Sequence, residues 1–179
     1  MIYKVPNLET KRLFLKKANG KDMAKVYEYD FKYLRGYDGI YKKVKQSCDI
    51  LSWYEDDEEN VYDFGVYLKS GEVIANIFTY NVVDDVELSY NMHPDYWKHG
   101  YMIEAINEVI KFLFTVGYKE IIISYAQENS NSKGICEKLG FEYHSIIKDE
   151  HIFNGKSISL VKTVLSYEKY LEINKCNIK

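Results

Sequence analysis

The stretch from Val86 to Tyr143, VELSYNMHPDYWKHGYMIEAINEVIKFLFTVGYKEIIISYAQENSNSKGICEKLGFEY, constrains the fold more than the rest of the chain. Val86, Leu88, Tyr90 and Met92 alternate with Glu87, Ser89, Asn91 and His93, the period of a strand with two unlike faces. Pro94 ends that strand, because proline has no N–H to give a ladder. Met102, Ala105, Ile106, Val109, Ile110 and Leu113 then recur at helical spacing, a single apolar stripe that must pack on a sheet. Gly117 closes this helix, and the consecutive isoleucines within Glu120 to Tyr125 predict a strand buried on both faces. Asn129 to Ser132 caps a second helix, which Gly140 stops. A glycine-containing loop therefore runs straight into a helix N-terminus, where clustered backbone N–H groups suit a pyrophosphate. The pattern points to a ligand that carries a nucleotide.

The flanking segments complete an α/β reading. Arg12 to Leu15 predicts a first strand, and Asn19 with Asp22 resembles a helix-start cap followed by Met23, Val26 and Tyr27. Tyr29 to Asp49 has a weak pattern and is expected to form irregular helix, a flap over a pocket. Glu55 to Glu59 is an acidic run, read as a solvated turn or as a recruiting patch for an amine. Phe64–Leu68 and Val73–Tyr80 flank Lys69-Ser70-Gly71-Glu72, a hairpin signal in which glycine supplies the positive φ. Glu142–Lys148 and Ser157–Leu165 are expected to close the sheet around Asn154-Gly155, and residues 167–179 to form a polar terminal helix or tail. No repeat, linker or second domain is visible, so residues 1–179 read as one domain.

Composition narrows the function classes. With 179 residues and 46% apolar content, the chain can bury a sizeable core. A net charge of −3 gives no electrostatic footprint for nucleic acid. No apolar run has the length of a signal peptide or a membrane span. Cys48, Cys136 and Cys176 are odd in number and lack metal-ligand spacing, so they read as reduced thiols of a cytoplasmic protein.

The opening Glu9–Lys16 (ETKRLFLK), the strand Glu87-Leu88-Ser89-Tyr90 and the segment Pro94–Tyr101 (PDYWKHGY) stand in a meaningful order. Glu128–Ser132 (ENSNS) and Glu137–Phe141 (EKLGF) complete the series. With these marks the chain resembles the GNAT superfamily of acyl-CoA-dependent N-acetyltransferases over residues 9 to 165. The resemblance is to the branch that includes ribosomal-protein N-terminal acetyltransferases. It implies a mixed, mostly antiparallel central sheet with helices on both faces. It also implies direct transfer of an acetyl group from acetyl-CoA to a primary amine on a protein N-terminus or small molecule. No metal is implied, and family members often dimerise through helices and terminal strands. The family's pyrophosphate loop runs Q/R-x-x-G-x-G/A; here it reads Trp97-Lys98-His99-Gly100-Tyr101-Met102, with Met102 in a place usually held by a small residue. Met102 also begins the apolar stripe, so its side chain is expected in the core.

The resemblance assigns roles by position. Backbone N–H groups from Lys98 to Met102 would receive the pyrophosphate, and Asn91, Met92 and Asn129 would bond the pantetheine arm. The N–H of Met92 would polarise the thioester carbonyl. An alkylammonium acceptor must lose a proton before it attacks, and Glu87 is the carboxylate placed to take it, through water; the same residue also reads as a cross-strand partner. The thiolate donor is open between Ser132 and Tyr143, because Cys136 stands where many members carry a tyrosine. Ser132 reads equally as a helix cap. Acyl-cysteine chemistry at Cys136 would need a nearby base, and only His144 stands close in sequence. His93 and His99 are expected to face solvent. A second reading, a non-catalytic acyl-CoA-binding sensor or scaffold, rests on Cys136 and Met102.

Overall fold

The computed structural model describes residues 4–26, 62–82, 85–153 and 156–176. The expected flap at Tyr29 to Asp49, the acidic run at Glu55 to Glu59 and the turn at Asn154-Gly155 lie outside them. The described chain runs β1 (Leu8–Glu9), β2 (Leu13–Lys17), α1 (Gly20–Val26), β3 (Tyr62–Leu68), β4 (Val73–Val82) and β5 (Asp85–Met92). A 3-10 turn (Pro94–Tyr96) leads to α2 (Tyr101–Thr115), β6 (Glu120–Ala126), α3 (Ser130–Leu139), β7 (Glu142–Phe153), β8 (Lys156–Ser166) and α4 (Tyr167–Cys176). The terminal segment is thus helical through Cys176, and the last hairpin is longer than the sequence pattern indicates.

The strands form one sheet in the order β1-β2-β3-β4-β5-β6-β8-β7. Every neighbouring pair is antiparallel except β5 and β6. A parallel pair needs a crossover, and α2 provides it. Both strands of that pair therefore end at the same edge of the molecule, and the N-termini of α2 and α3 start there.

The core lies between the sheet and α2. Met102, Ala105, Ile106, Val109, Ile110 and Leu113 are all buried against Leu13, Leu15, Phe64, Val66, Ile77, Val86 and Leu88. Ile121, Ile122 and Ile123 are buried in succession, as a strand covered on both faces requires. On the other face, Met23 and Val26 of α1 pack with Tyr67 and Val73 in a separate small cluster. Asn19 caps α1 as expected, its Oδ1 accepting the Asp22 N–H at 3.0 Å.

Helix α4 returns to the main core. Phe114 meets Tyr167 and Tyr170 at ring-centroid distances of 5.3 and 5.0 Å, and Ile173 closes over Gly140. Gly140 has φ +83, and a methyl group there would collide with Ile173 Cδ1, so the glycine serves both the helix stop and the docking of α4. Gly71 has φ +91 and open space around it. The obstructing atom is the movable end of the Ile173 side chain, so Gly140→Ala is expected to destabilise the protein beyond Gly71→Ala by about 0.5–1.5 kcal/mol, the cost of forcing a side chain off its rotamer, read from urea unfolding midpoints. Equal losses would show that α4 does not press on this position.

Candidate active site

Strands β5 and β6 pair only through Val86–Ile121 and Glu87–Ile122. Beyond that vertex β5 follows β4 as far as Met92, while β6 follows β8 as far as Ala126. Each strand is satisfied on its outer side, and a cleft of about 1230 Å³ opens between them. Its walls come from Leu88–Met92, Ile123–Tyr125, Tyr96–Ile103 and the start of α3.

The ladder phase gives the direction of the Met92 peptide. His93 N donates to Ile74 O at 2.9 Å, so this opposed pair is hydrogen-bonded. Hydrogen-bonded and non-hydrogen-bonded pairs alternate in an antiparallel ladder. The neighbouring Met92–Ala75 pair is then non-bonded, and the N–H and C=O of Met92 point away from β4, toward the cleft. Trp97 Nε1 donates to that carbonyl at 2.9 Å, which agrees with the deduced direction. Trp97 thereby ties the loop to the end of β5, with its ring packed against the core.

The loop curls back on itself before α2. Lys98 adopts φ +63 and Gly100 φ +77. A left-handed conformation at a lysine costs about 1 kcal/mol and persists only where its surroundings enforce it. Successive turns of this kind gather main-chain N–H groups into a concave anion site. Gly100 begins α2 without a side-chain cap. The other helices are capped: α1 by Asn19, α3 by Asn129 Oδ1 on Ser132 N at 3.1 Å, and α4 by Ser166 Oγ on Lys169 N at 3.1 Å. The first N–H groups of α2 are thus left to a ligand or to solvent.

A polar cluster braces the loop from behind. Glu104, in the first turn of α2, accepts from Thr10 Oγ1 at 2.6 Å, Arg12 N at 3.0 Å and Arg12 Nε at 2.6 Å. Arg12 Nη1 also donates to His99 O at 2.9 Å, and the guanidinium lies 4.4 Å from the Tyr101 ring centroid. Partial burial pushes the Glu104 carboxyl up, but the hydrogen bonds from Thr10 and Arg12 outweigh it and hold it below the usual carboxylate value. The pair is therefore charged at neutral pH. In the sequence Thr10 and Arg12 stand out only as part of the opening motif and the first strand, because a contact across ninety residues leaves no local pattern.

Most sequence-predicted residues converge on the cleft. Asn91, Met92, Trp97, Lys98, His99, Gly100, Tyr101, Met102, Asn129 and Ser132 all line it. Met102 is 5% exposed and belongs to the core, which explains how a long side chain is tolerated at its loop position. Glu87 is not among the lining residues. It sits at the vertex, on the sheet face that Ser89 and Asn91 share, opposite Tyr80 of β4 and Ile122 of β6. Asn129 is the cap of α3, and Ser132 is not. Tyr143 is 66% exposed on β7, outside the cleft lining.

Cysteine chemistry finds no support in the geometry. Cys136 is 2% exposed, and burial pushes its thiol up to about 11. His144, its neighbour in sequence, is exposed and bonds Ser145 Oγ at 3.0 Å. His99 is exposed as expected, whereas His93 is largely covered and its Nδ1 accepts the Asp95 N–H at 3.3 Å, capping the 3-10 turn. A hydrogen bond to Glu72 pushes the Tyr96 phenol up to about 12, so it remains a neutral wall residue. Among the described residues there is no cluster of potential metal ligands and no helix long and apolar enough to cross a membrane.

A gap between two diverging parallel strands thus opens beside a loop and a helix start whose main-chain N–H groups have no side-chain cap. The family model of the acetyltransferase (GNAT) domain matches residues 12–142, and the chain belongs to this acetyltransferase family. It is 22% identical over 173 residues to p20 of Bacillus licheniformis, an uncharacterised N-acetyltransferase, covering 91% of this chain and 97% of that one. A GCN5-related N-acetyltransferase from Brucella melitensis superposes with a TM-score of 0.82 at 15% identity, over 98% of this chain and 85% of that one. RimJ of Mycobacterium smegmatis, solved with CoA-disulfide, superposes with a TM-score of 0.75 at 16% identity, over 87% of this chain and 82% of that one.

The cap assignment separates Asn129 from Ser132. Asn129→Ala is expected to cost about 1 kcal/mol, the usual loss for an N-cap. Ser132→Ala, which leaves the cap intact, is expected to stay within ~0.5 kcal/mol of the parent. Denaturant unfolding of both variants checks this; an equal loss in Ser132→Ala would give its hydroxyl a structural task.

Proposed function

We propose that this acetyltransferase moves an acetyl group directly from acetyl-CoA to a primary amine, on a protein N-terminus or a small molecule, in the cytoplasm. The observation that carries the reading is the gap between β5 and β6, with the Met92 peptide aimed into it and an uncapped helix at its mouth. Bound acetyl-CoA supplies an activated thioester carbonyl.

The residues fit the parts of that molecule. Main-chain N–H groups from Lys98 to Met102 receive the pyrophosphate, and the α2 dipole adds ~0.3–1 kcal/mol. Lys98 and Lys138 contribute positive charge to the same cleft. The main chain of Met92 meets the pantetheine arm as a further strand would, whereas Asn91, whose main chain is turned to β4 by the same alternation, offers the arm its side chain. Asn129 has committed its Oδ1 to α3, so only its Nδ2 donates to the arm. The Met92 N–H donates to the thioester oxygen, a kind of contact worth roughly 2.7–4 kcal/mol where it has been removed in other enzymes.

Two proton movements remain. Ser132 lines the cleft with its hydroxyl uncommitted to the cap, and it lies in the first turn of α3, where the helix dipole favours negative charge. As the C–N bond forms and the C–S bond breaks, its hydroxyl hydrogen-bonds the departing thiolate and relays to it the proton that the attacking nitrogen loses. Ser89 lines the cleft, and Glu87 precedes it by two residues on the same sheet face, about 6.6 Å at strand rise, a gap that water can span; Glu87 is the carboxylate we assign to accept the ammonium proton. Burial and protonation of Cys136 support direct transfer rather than an acyl-cysteine route.

Acetyl-CoA at about 100 times its Kd should stabilise the protein by about 2.7 kcal/mol, seen as a raised Tm that adenosine nucleotides do not reproduce. No shift would remove the cofactor assignment. In amine-dependent release of CoA thiol, Glu87→Gln should lower turnover several-fold at neutral pH. The deficit should shrink as pH approaches the pKa of the amine, about 8 for a protein N-terminus and about 10 for an alkylamine, as free amine accumulates. A pH–rate profile that matches the parent would show that Glu87 does not act as the base.

A further inference from the structure

The Arg12 side chain meets one segment: Glu104 Oε2 at 2.6 Å, His99 O at 2.9 Å and the Tyr101 ring at 4.4 Å. Its side chain is 42% exposed. The adjoining Leu13 and Leu15 are fully buried and anchor β2 without it. The contacts therefore bear on the loop before α2 rather than on the core.

The charges at this place pose a problem that Arg12 solves. Glu104 puts a carboxylate in the first turn of the helix whose N-terminus is to receive a dianionic pyrophosphate. That carboxylate suits the helix dipole but repels the ligand. Thr10 Oγ1 and Arg12 N hold Glu104 Oε1 independently of the guanidinium. Without the Arg12 side chain, the carboxylate stays in place with its charge uncancelled. The His99 carbonyl is a second negative dipole beside the site, and Arg12 Nη1 donates to it at 2.9 Å, whereas Arg12 itself is not part of the cleft lining.

Resting on the reading of the cleft as an acetyl-CoA site, we propose that Arg12 is the positioning residue of the pyrophosphate loop. It neutralises Glu104 and fixes the His99 carbonyl, so that the loop presents N–H groups and a net positive field. Its effect is confined to the phosphate end of the ligand. The pantetheine arm is held by β5, on the far side of Trp97, and does not depend on it.

The test compares two ligands that share an arm. Dissociation constants for CoA and for acetyl-pantetheine, which lacks the phosphates, are measured by calorimetry and NMR titration on the parent, Arg12→Ala and Arg12→Ala/Glu104→Gln. Arg12→Ala should weaken CoA by roughly tenfold or more, the scale of a lost charge-assisted contact, and leave acetyl-pantetheine unchanged. Adding Glu104→Gln should restore part of the CoA affinity, because it removes the uncancelled charge. Should Arg12→Ala fail to fold, Arg12→Gln keeps a donor without the charge and should show the same selective loss. Unchanged CoA binding, equal weakening of both ligands or absence of rescue would each overturn the proposal. A parent protein that binds no CoA would overturn the reading of the cleft, and the proposal with it. A parent that binds CoA beside a variant that binds it equally well overturns only the proposal.

Discussion

Strands that run parallel but pair through only two residues leave main-chain groups directed across an open gap, and the remaining architecture follows from that vertex. β5 is held on its outer side by β4, and β6 by β8, so neither collapses into the gap. The buried side chains of Val86 and Leu88 and the buried run Ile121–Ile123 hold the vertex closed at its base. The parallel orientation, forced by the α2 crossover, brings two helix N-termini to the open end. A protein arranged in this way has an edge for an extended ligand and positive dipole ends for its charges, before any reactive side chain is considered.

That ordering explains why the site is mostly main chain. The Met92 N–H, the loop amides and the α2 N-terminus come from backbone geometry that glycine, one strained lysine and the Trp97 strut enforce. Side chains then act by disposing charge. Arg12 and Glu104 cancel behind the loop, Asn129 closes α3, and Ser132 is left facing the cleft. Cys136, in a place where a reactive group could stand, is withdrawn into the core. In the proposed function the ligand is held largely by main-chain groups, and the proposed base Glu87 lies on the sheet face that Ser89 and Asn91 share.

Much of this could be read from residue order, for identifiable reasons. The apolar stripe of α2, the isoleucines of β6 and the glycine stop of α3 are local patterns with one physical solution, and each element appears where the pattern puts it. The loop at Trp97–Met102 and the caps Asn19 and Asn129 are likewise local. What escaped the sequence is nonlocal or directional. The Arg12–Glu104 brace joins segments far apart in the chain, and the indole of Trp97 reaches back to the carbonyl of Met92. The vertex at Glu87 depends on register between β5 and β6, which alternation alone does not specify. Tyr143 looked suitable by its place after Gly140-Phe141, yet the turn into β7 carries it outside the cleft lining.

The central claim is that the diverging edge of β5 and the mouth of α2 form one binding surface for acetyl-CoA. Amide hydrogen exchange resolved by residue, with and without saturating acetyl-CoA, tests it most directly. Slowed exchange is expected at Met92 and from Lys98 to Ile103, with little change along the outer edge at β7. Unchanged exchange at Met92 together with protection elsewhere would contradict it, since the ligand would then bind without using the gap that organises the fold.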